Sequence, residues 1–430
     1  MMKFNYNILT VALVVTATAC ATASSETTAK AEPVADTGPS AIEKAELSKR
    51  DYLTPPVNFE IKPRPKDKNE FPKFVDYLLE VMHPRSEAEM VGDAEMMAKY
   101  KGVHNIDSIV IAAPGFPADI TMKQYEEYME HFRENQFTSM SVTVSNGSDK
   151  SVEEVFDRIE TFNKYISDNS DRYHQIKSVA DFDIALKAGK LAQFYNFQSM
   201  NAFGGEISNI EKYYNLGLRT ANFTYNQDNI WGGGTVSNED GSNDGVTDLG
   251  KQAINEMNRV GMVVDCSHSS DQTCFDAASI TSRPMIMSHS NNATLQPIGR
   301  NNSDKAMKAV AATGGAICIN FIGGFLNPQG MARPMDIAKH IEYVGNISGR
   351  EHVCAGSDFV YNYAGTLMWI LNNPDAFPES MGYASPSHMG MPGEIWGVVR
   401  ALEEIYGWNE NEIKGLLGGN LIRVYKANWQ

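Results

Sequence analysis

Eight short runs of apolar and β-branched residues recur along the chain: IDSIVIAA (106–113), FTSMSVTV (137–144), LAQFYNF (191–197), LRTANFT (218–224), GMVVD (261–265), PMIMS (284–288), GAICIN (315–320) and HVCAG (352–356). Most are followed by a stretch of helical spacing, such as MKQYEEYMEHFREN, VEEVFDRIETFNKYI, ISNIEKYYNLG, LGKQAINEMNRVG and DKAMKAVAATGG. This alternation predicts an α/β fold with a parallel sheet and right-handed crossovers, and eight units in about 250 residues predict a closed (β/α)8 TIM barrel. The alternative is an open doubly wound sheet. No GxGxxG or Walker A sequence follows any run, so the usual nucleotide signals of that fold are missing.

The barrel is assigned to 105–430. Before it, 41–104 reads as an N-terminal helical cap whose clearest amphipathic stretch is FPKFVDYLLEVM. At the other end, GEIWGVVRALEEIYGWNENEIKGLLGGNLIRVY carries apolar residues at helical spacing, with Asn409 as a cap before a segment ending at Gly418 and Gly419. These C-terminal helices would cover the barrel bottom or meet a second subunit. Trp369, Trp396, Trp408 and Trp429 read as core or interface residues in preference to a carbohydrate platform.

The first residues have a different pattern. Lys3, the apolar run Ile8 to Ala17 and the small residues up to Cys20 read as an export signal over 1–19. The run is much shorter than the roughly 20 residues that a membrane-spanning helix needs. Ala17, Thr18 and Ala19 before Cys20 resemble a bacterial lipobox, which points to a lipoprotein of the periplasm or outer membrane, with secretion as the alternative. Residues 21–40, rich in Ala, Thr, Ser, Glu and Pro, read as a flexible tether.

Charge removes one class of partner. With 37 Lys and Arg against 53 Asp and Glu, the net charge of −16 argues against a phosphate backbone or an anionic membrane surface. Apart from Cys20 there are Cys266, Cys274, Cys318 and Cys354. Their association with apolar runs predicts buried free thiols in place of two disulfides.

In a barrel of this kind the chemistry sits where the strands end. The residues there are Pro114 and Gly115, Ser145, Gln198, Tyr225, His268, His289, Phe321 and Asp358. His268 in VVDCSHSS and His289 in MIMSHSNN repeat a strand-SHS pattern on consecutive strands, which suits a metal with an open position for water. Asp358 in CAGSDF is placed to take the proton of such a water and pass it to a leaving amine. Arg300 in PIGRNNSD suits a bidentate contact to a substrate carboxylate. Ser303 or Asp304 behind it caps the next helix. GGGTVSNEDGSNDG meets no EF-hand spacing in full and reads as a flexible loop over the mouth.

These motifs, with PMIMSHSNNATLQPIGRNNSD, ATGGAICINF, LGLRTANFTYNQDNIWGGG and GGNLIRVYKANW, resemble the membrane (renal-type) dipeptidases, peptidase family M19, from about residue 106 to the C-terminus. The resemblance implies an amidohydrolase-type barrel, a homodimer, and two zinc ions that split a dipeptide through a bridging hydroxide. It also implies that His268 and His289 ligate one zinc, Asp358 holds the other and acts as acid/base, and Arg300 grips the substrate's carboxylate. Tyr225 stands where the family has a His that helps to polarise the scissile carbonyl.

The departures are specific. The family's first strand ends in His-x-Asp, whereas this one runs into AAPGFPAD; His104 and Asp107 have the wrong spacing at the wrong end of the barrel. The bridging Glu after the third strand is replaced by Gln198. What remains is His268, His289, Asp358 and the Gln198 oxygen, enough for one zinc, with Asp119 of the first loop as a further carboxylate. The sequence therefore predicts an exported metallohydrolase of dipeptides or related small amides. The alternative is a family scaffold that has lost peptidase activity and binds a ligand or runs other one-metal chemistry.

Overall fold

The computed structural model describes residues 62–82, 93–111, 122–149, 151–242, 244–360, 362–383 and 387–429. The export signal, Cys20, the tether, Pro114, Gly115 and Asp119 lie outside them.

All eight expected strands form: β1 (Ile106–Ile111), β2 (Ser139–Ser145), β3 (Leu191–Phe197), β4 (Leu218–Asn222), β5 (Val263–Asp265), β6 (Ile286–Met287), β7 (Ala316–Asn320) and β8 (Val353–Gly356). Each pairs in parallel with the next. After Ser357 and Asp358 the chain resumes β8 as Phe359–Val360, which pairs in parallel with β1. One broken strand thus has β7 on one side and β1 on the other, and the ring closes through it. A short strand that the apolar pattern does not reveal, Tyr173–Gln175, lies beside β3.

Every residue of β1, β2 and β3 is buried. That is why these strands read as continuous apolar runs and not as alternating ones: helices cover one face and the barrel interior the other. The interior leaves no room at Gly356, where a Cβ would come within 2.0 Å of the Ser288 carbonyl oxygen.

Helix starts follow local side-chain chemistry. Ser151, Ser270 and Ser303 each accept a backbone N–H of the first turn they precede. Asn409 and Glu412 make the reciprocal contacts of a capping box. The chain does not stop at Gly418 and Gly419 but passes through a wide turn, Gly415–Gly419, into a last helix, Asn420–Asn428. Of the two roles expected for this part, the fold shows the first. Leu421, Val424, Tyr425 and Trp429 cluster with Ile106, Val263, Ile286 and Ala316 at the amino-terminal ends of the strands. Tyr425 and Trp429 stack on each other and on Phe182. The bottom is plugged, and the carboxyl-terminal mouth is left for a site.

Two expectations fail. Cys266 and Cys274 form one disulfide, and Cys318 and Cys354 another. Cys318 lies opposite Cys354 in the β7–β8 register, with Cα atoms 4.1 Å apart. Register between strands 36 residues apart is invisible to a reading of apolar runs. The described part of the loop expected to be flexible, 232–242, is folded and pinned. It carries a short helix, Val236–Asp240, and Asp228 accepts hydrogen bonds from Gly234 N and Ser237 Oγ.

Candidate active site at the mouth of the barrel

His268 stands just beyond β5 with φ at 62°, and Asp358 in the break of β8 with φ at 56°. Positive φ is uncommon for residues other than glycine and clusters where side chains are re-aimed for function. Each is held by backbone bonds. The His268 carbonyl accepts from Thr235 N (3.1 Å) and Thr224 Oγ1 (2.9 Å). Asp358 N donates to the Ile109 carbonyl at 3.2 Å.

The two imidazoles face each other with ring centroids 4.7 Å apart, both buried. His268 Nδ1 donates to Asn226 Oδ1 at 2.7 Å. The amide of Asn226 is oriented by its Nδ2, which donates to the Ala376 carbonyl. The proton of His268 therefore sits on Nδ1, and Nε2 carries a free lone pair without a hydrogen-bond partner. His289 Nδ1 lies 2.7 Å from Ser288 Oγ. Burial, and then the charge of Arg300, hold both imidazoles well below the usual histidine range, so they are neutral.

Gln198 joins the two sides of the site. Its Nε2 is 3.4 Å from His289 Nε2, its side chain also bonds Asp358, and its Oε1 has no partner. Asp358 accepts from Asn320 Nδ2 at 3.0 Å. Burial raises its carboxyl to about 6, against the opposing pull of Arg300 and of its hydrogen bonds to Asn320 and Gln198. Tyr225 stacks on His268 with centroids 4.4 Å apart. His268, Gln198, Asp358 and Tyr225 all line a single cavity, whose remaining wall is largely apolar.

Arg300 is fully buried, donates from Nη2 to the His289 carbonyl (2.9 Å) and also bonds the side chain of Tyr383, a residue of the cavity wall. It touches the ring of Phe325, a wall residue, without lining the cavity itself. Ser303 is the cap of the following helix. Ser145 and Phe321, also at strand ends, stay outside: Ser145 bonds Asp149 and Gly147 N, and Phe321 joins the hydrophobic core. His104 pairs with Asp183 at 2.9 Å, and Asp107 accepts from Ser357 N and Ile109 N, so neither reaches the mouth.

Sequence reasoning missed Asn226, Ser288 and Asn320, which orient His268, His289 and Asp358. Each adjoins a strand end, and that position was the available signal. It also missed Tyr383, Phe377 and the wall helix Tyr363–Asn372, which have no motif.

Of the donors expected for a single ion, His268 Nε2 and Gln198 Oε1 are buried without partners, whereas His289 Nε2 faces Gln198 Nε2, so the amide must turn for its oxygen to share an ion with that histidine. These donors do not suit a pair of ions. Among the described residues no group of three or more His, Cys, Asp or Glu is gathered as a metal site would require. Apart from Asp358 the expected donors are uncharged, which lowers the attraction for a dication.

The sequence pattern described as membrane dipeptidase (peptidase family M19) matches residues 118–376, more than half of the chain. An uncharacterized dipeptidase of Schizosaccharomyces pombe is 32% identical over 260 residues, which are 59% of this chain and 58% of that protein. The crystal structure of an amidohydrolase from Pseudomonas aeruginosa aligns with a TM-score of 0.67 at 27% identity, over 78% of this chain and 98% of that one. A metallopeptidase from Rhodobacter sphaeroides, solved with a phosphinate mimic of the dipeptide L-Ala-D-Ala, has a TM-score of 0.58 at 15% identity, a likeness of fold, over 76% of this chain and 99% of that one.

Proposed function

The chain belongs to the membrane dipeptidase family, peptidase family M19, and on that premise we propose that it is an exported hydrolase of dipeptides or related small amides, working with one zinc ion. The observation that carries this reading is the cavity at the barrel mouth, where groups from four strand ends meet: Gln198, Tyr225, His268 and Asp358. A concave, mostly apolar pocket with a few convergent polar groups is the usual form of a small-molecule site.

His268 and His289 would hold the ion, with the Gln198 oxygen as a weak third donor and Asp358 beside them. Bound there, zinc supplies a Lewis acid and a water of lowered pKa. The chain's own residues do the rest. Asp358, with its carboxyl at about 6, exchanges a proton readily near neutrality. It takes one from the attacking water and returns it to the amine that leaves. The hydroxyl of Tyr225, held in place by stacking on His268, is the donor for the scissile carbonyl. Arg300, behind Phe325 and Tyr383 of the cavity wall, supplies the positive charge for a substrate carboxylate that reaches between them.

Export rests on the signal-like residues 1–19 and on Cys20, whose acylation would tether the protein to a bacterial membrane. Two disulfides within one barrel suit an oxidising compartment. A second reading, a scaffold that binds its ligand without cleaving it, is favoured by the neutral Gln198 and by the lack of a three-ligand cluster among the described residues.

One experiment separates them: zinc content and hydrolysis of a dipeptide panel by the purified full chain, with and without chelator, beside His289→Ala. The hydrolase reading expects about one zinc per chain, chelator-sensitive turnover, and a loss of more than about 100-fold in kcat/KM on removing a ligand. Full activity in His289→Ala would refute the site. A metal-free, inactive chain would leave the binding reading.

A further inference from the structure

The cavity has a second side that the chemistry above does not use. Helix Tyr363–Asn372 follows the broken strand that carries Asp358, and it presents Tyr363, Thr366, Leu367 and Ile370 to the cavity. The spacing i, i+3, i+4, i+7 is that of one helical face. Trp369 of the same helix and Phe377 of the segment after it lie with ring centroids 4.6 Å apart, and Phe377 and Tyr383 with centroids 5.0 Å apart.

This wall is anchored from behind. Arg64 donates from Nη1 to the Phe377 carbonyl at 2.9 Å, and from Nη2 to the Ile370 and Leu371 carbonyls at 3.0 Å. A guanidinium that ties the end of the helix to the following loop holds the wall in one shape, and a preformed pocket loses less entropy on binding. Among the described residues lining the cavity there is no Lys, Arg or Glu, and the ionisable groups there besides its tyrosines are Asp358 and His268. A charged side chain placed against this wall would lose its water with no partner in return.

We propose that this wall is the subsite for a bulky aliphatic or aromatic side chain next to the scissile amide. The preferred substrates are then small peptides carrying Leu, Phe or a residue of similar size there, and not Asp, Glu, Lys or Arg. The occupant follows from continuity, because the wall and the groups assigned to catalysis border the same cavity. The inference rests on the hydrolase reading, and its test keeps the two apart.

The test measures kcat/KM of the full chain for Leu-Gly, Phe-Gly, Gly-Leu and Gly-Phe against Gly-Gly, Asp-Gly, Gly-Asp, Lys-Gly and Gly-Lys, and titrates the same peptides calorimetrically. At one of the two positions, burial of a Leu- or Phe-sized side chain is expected to favour the apolar peptides roughly 10- to 150-fold over Gly-Gly, with the charged ones below it. Leu367→Ala lowers that ratio, and Ile370→Trp, which fills the cavity, shifts it toward glycine; thermal unfolding of both variants verifies that they fold. Selective binding of apolar peptides without cleavage supports the subsite while the hydrolase reading falls. Apolar, charged and Gly-Gly peptides handled within about three-fold of one another overturn the subsite, as does a chain that neither binds nor cleaves any of them.

Discussion

A non-glycine residue in the left-handed region costs about 1–3 kcal/mol, and His268 and Asp358 both occupy it, with φ of 62° and 56°. Ordinary strand geometry would send each side chain along the alternation of its strand. The positive φ redirects it toward the cavity, so that residues of β5 and β8 share one site. If the proposed ion is held here, Gln198 is the position at which its affinity can be tested. It occupies the gap between His289 and Asp358 as a neutral amide, bonded to both. Gln198→Glu adds a second negative charge to a donor set whose single carboxylate is Asp358. Zinc affinity is expected to rise about 10- to 100-fold, measured by titration with a chromophoric chelator. An unchanged affinity would mean that position 198 does not face the ion. The residue types at the site were legible because each stands where a strand ends. Their orienting partners Asn226, Ser288 and Asn320 were not, since amides and hydroxyls are common at any loop and only spatial contact distinguishes these.

Among elements, the eight strands were legible since each is buried on both faces and reads as an apolar run. The break in β8 was not, because Ser357 and Asp358 look like the end of a strand, whereas Phe359–Val360 pairs onward with β1. The Cys318–Cys354 disulfide shows the same blindness to register, and it ties β7 to β8 directly before the break. Replacing both cysteines by serine removes a cross-link across 36 residues. By the loop-entropy argument this costs about 3–4 kcal/mol. The check is chemical denaturation of the double variant against the parent. A midpoint that does not move would mean that the bridge leaves the unfolded chain unconstrained. The helix Tyr363–Asn372 was likewise passed over: its composition is that of any core helix, and only the fold turns part of its apolar face to a cavity.

At the scale of the whole molecule, stability depends on how the ring is sealed. Asp107 in β1 accepts from Ser357 N at 2.9 Å, in the break of β8. Burial raises its carboxyl from the ordinary 3.8 to about 7, against the hydrogen bonds from Ser357 and Ile109. In the unfolded chain the carboxyl ionises near 3.8, while the folded protein keeps it protonated to about 7. This contribution to stability is therefore fully present below 3.8 and is lost as the pH rises through 7. Asp107→Asn keeps an acceptor oxygen without an ionisable proton, so its Tm is expected to vary less between about pH 4 and 7 than the parent's. Parallel profiles for the two proteins would show that Asp107 is not the titrating group. The sealed ring also sets an order of events. β1 begins at Ile106, but its second neighbour is Phe359–Val360, and the plug that closes the bottom ends near Trp429. A growing chain lacks both until about 250 and 320 further residues have followed β1, and contacts so distant in sequence form late. Until Phe359–Val360 has been made, then, β1 is a bare edge, open to any other strand that reaches it.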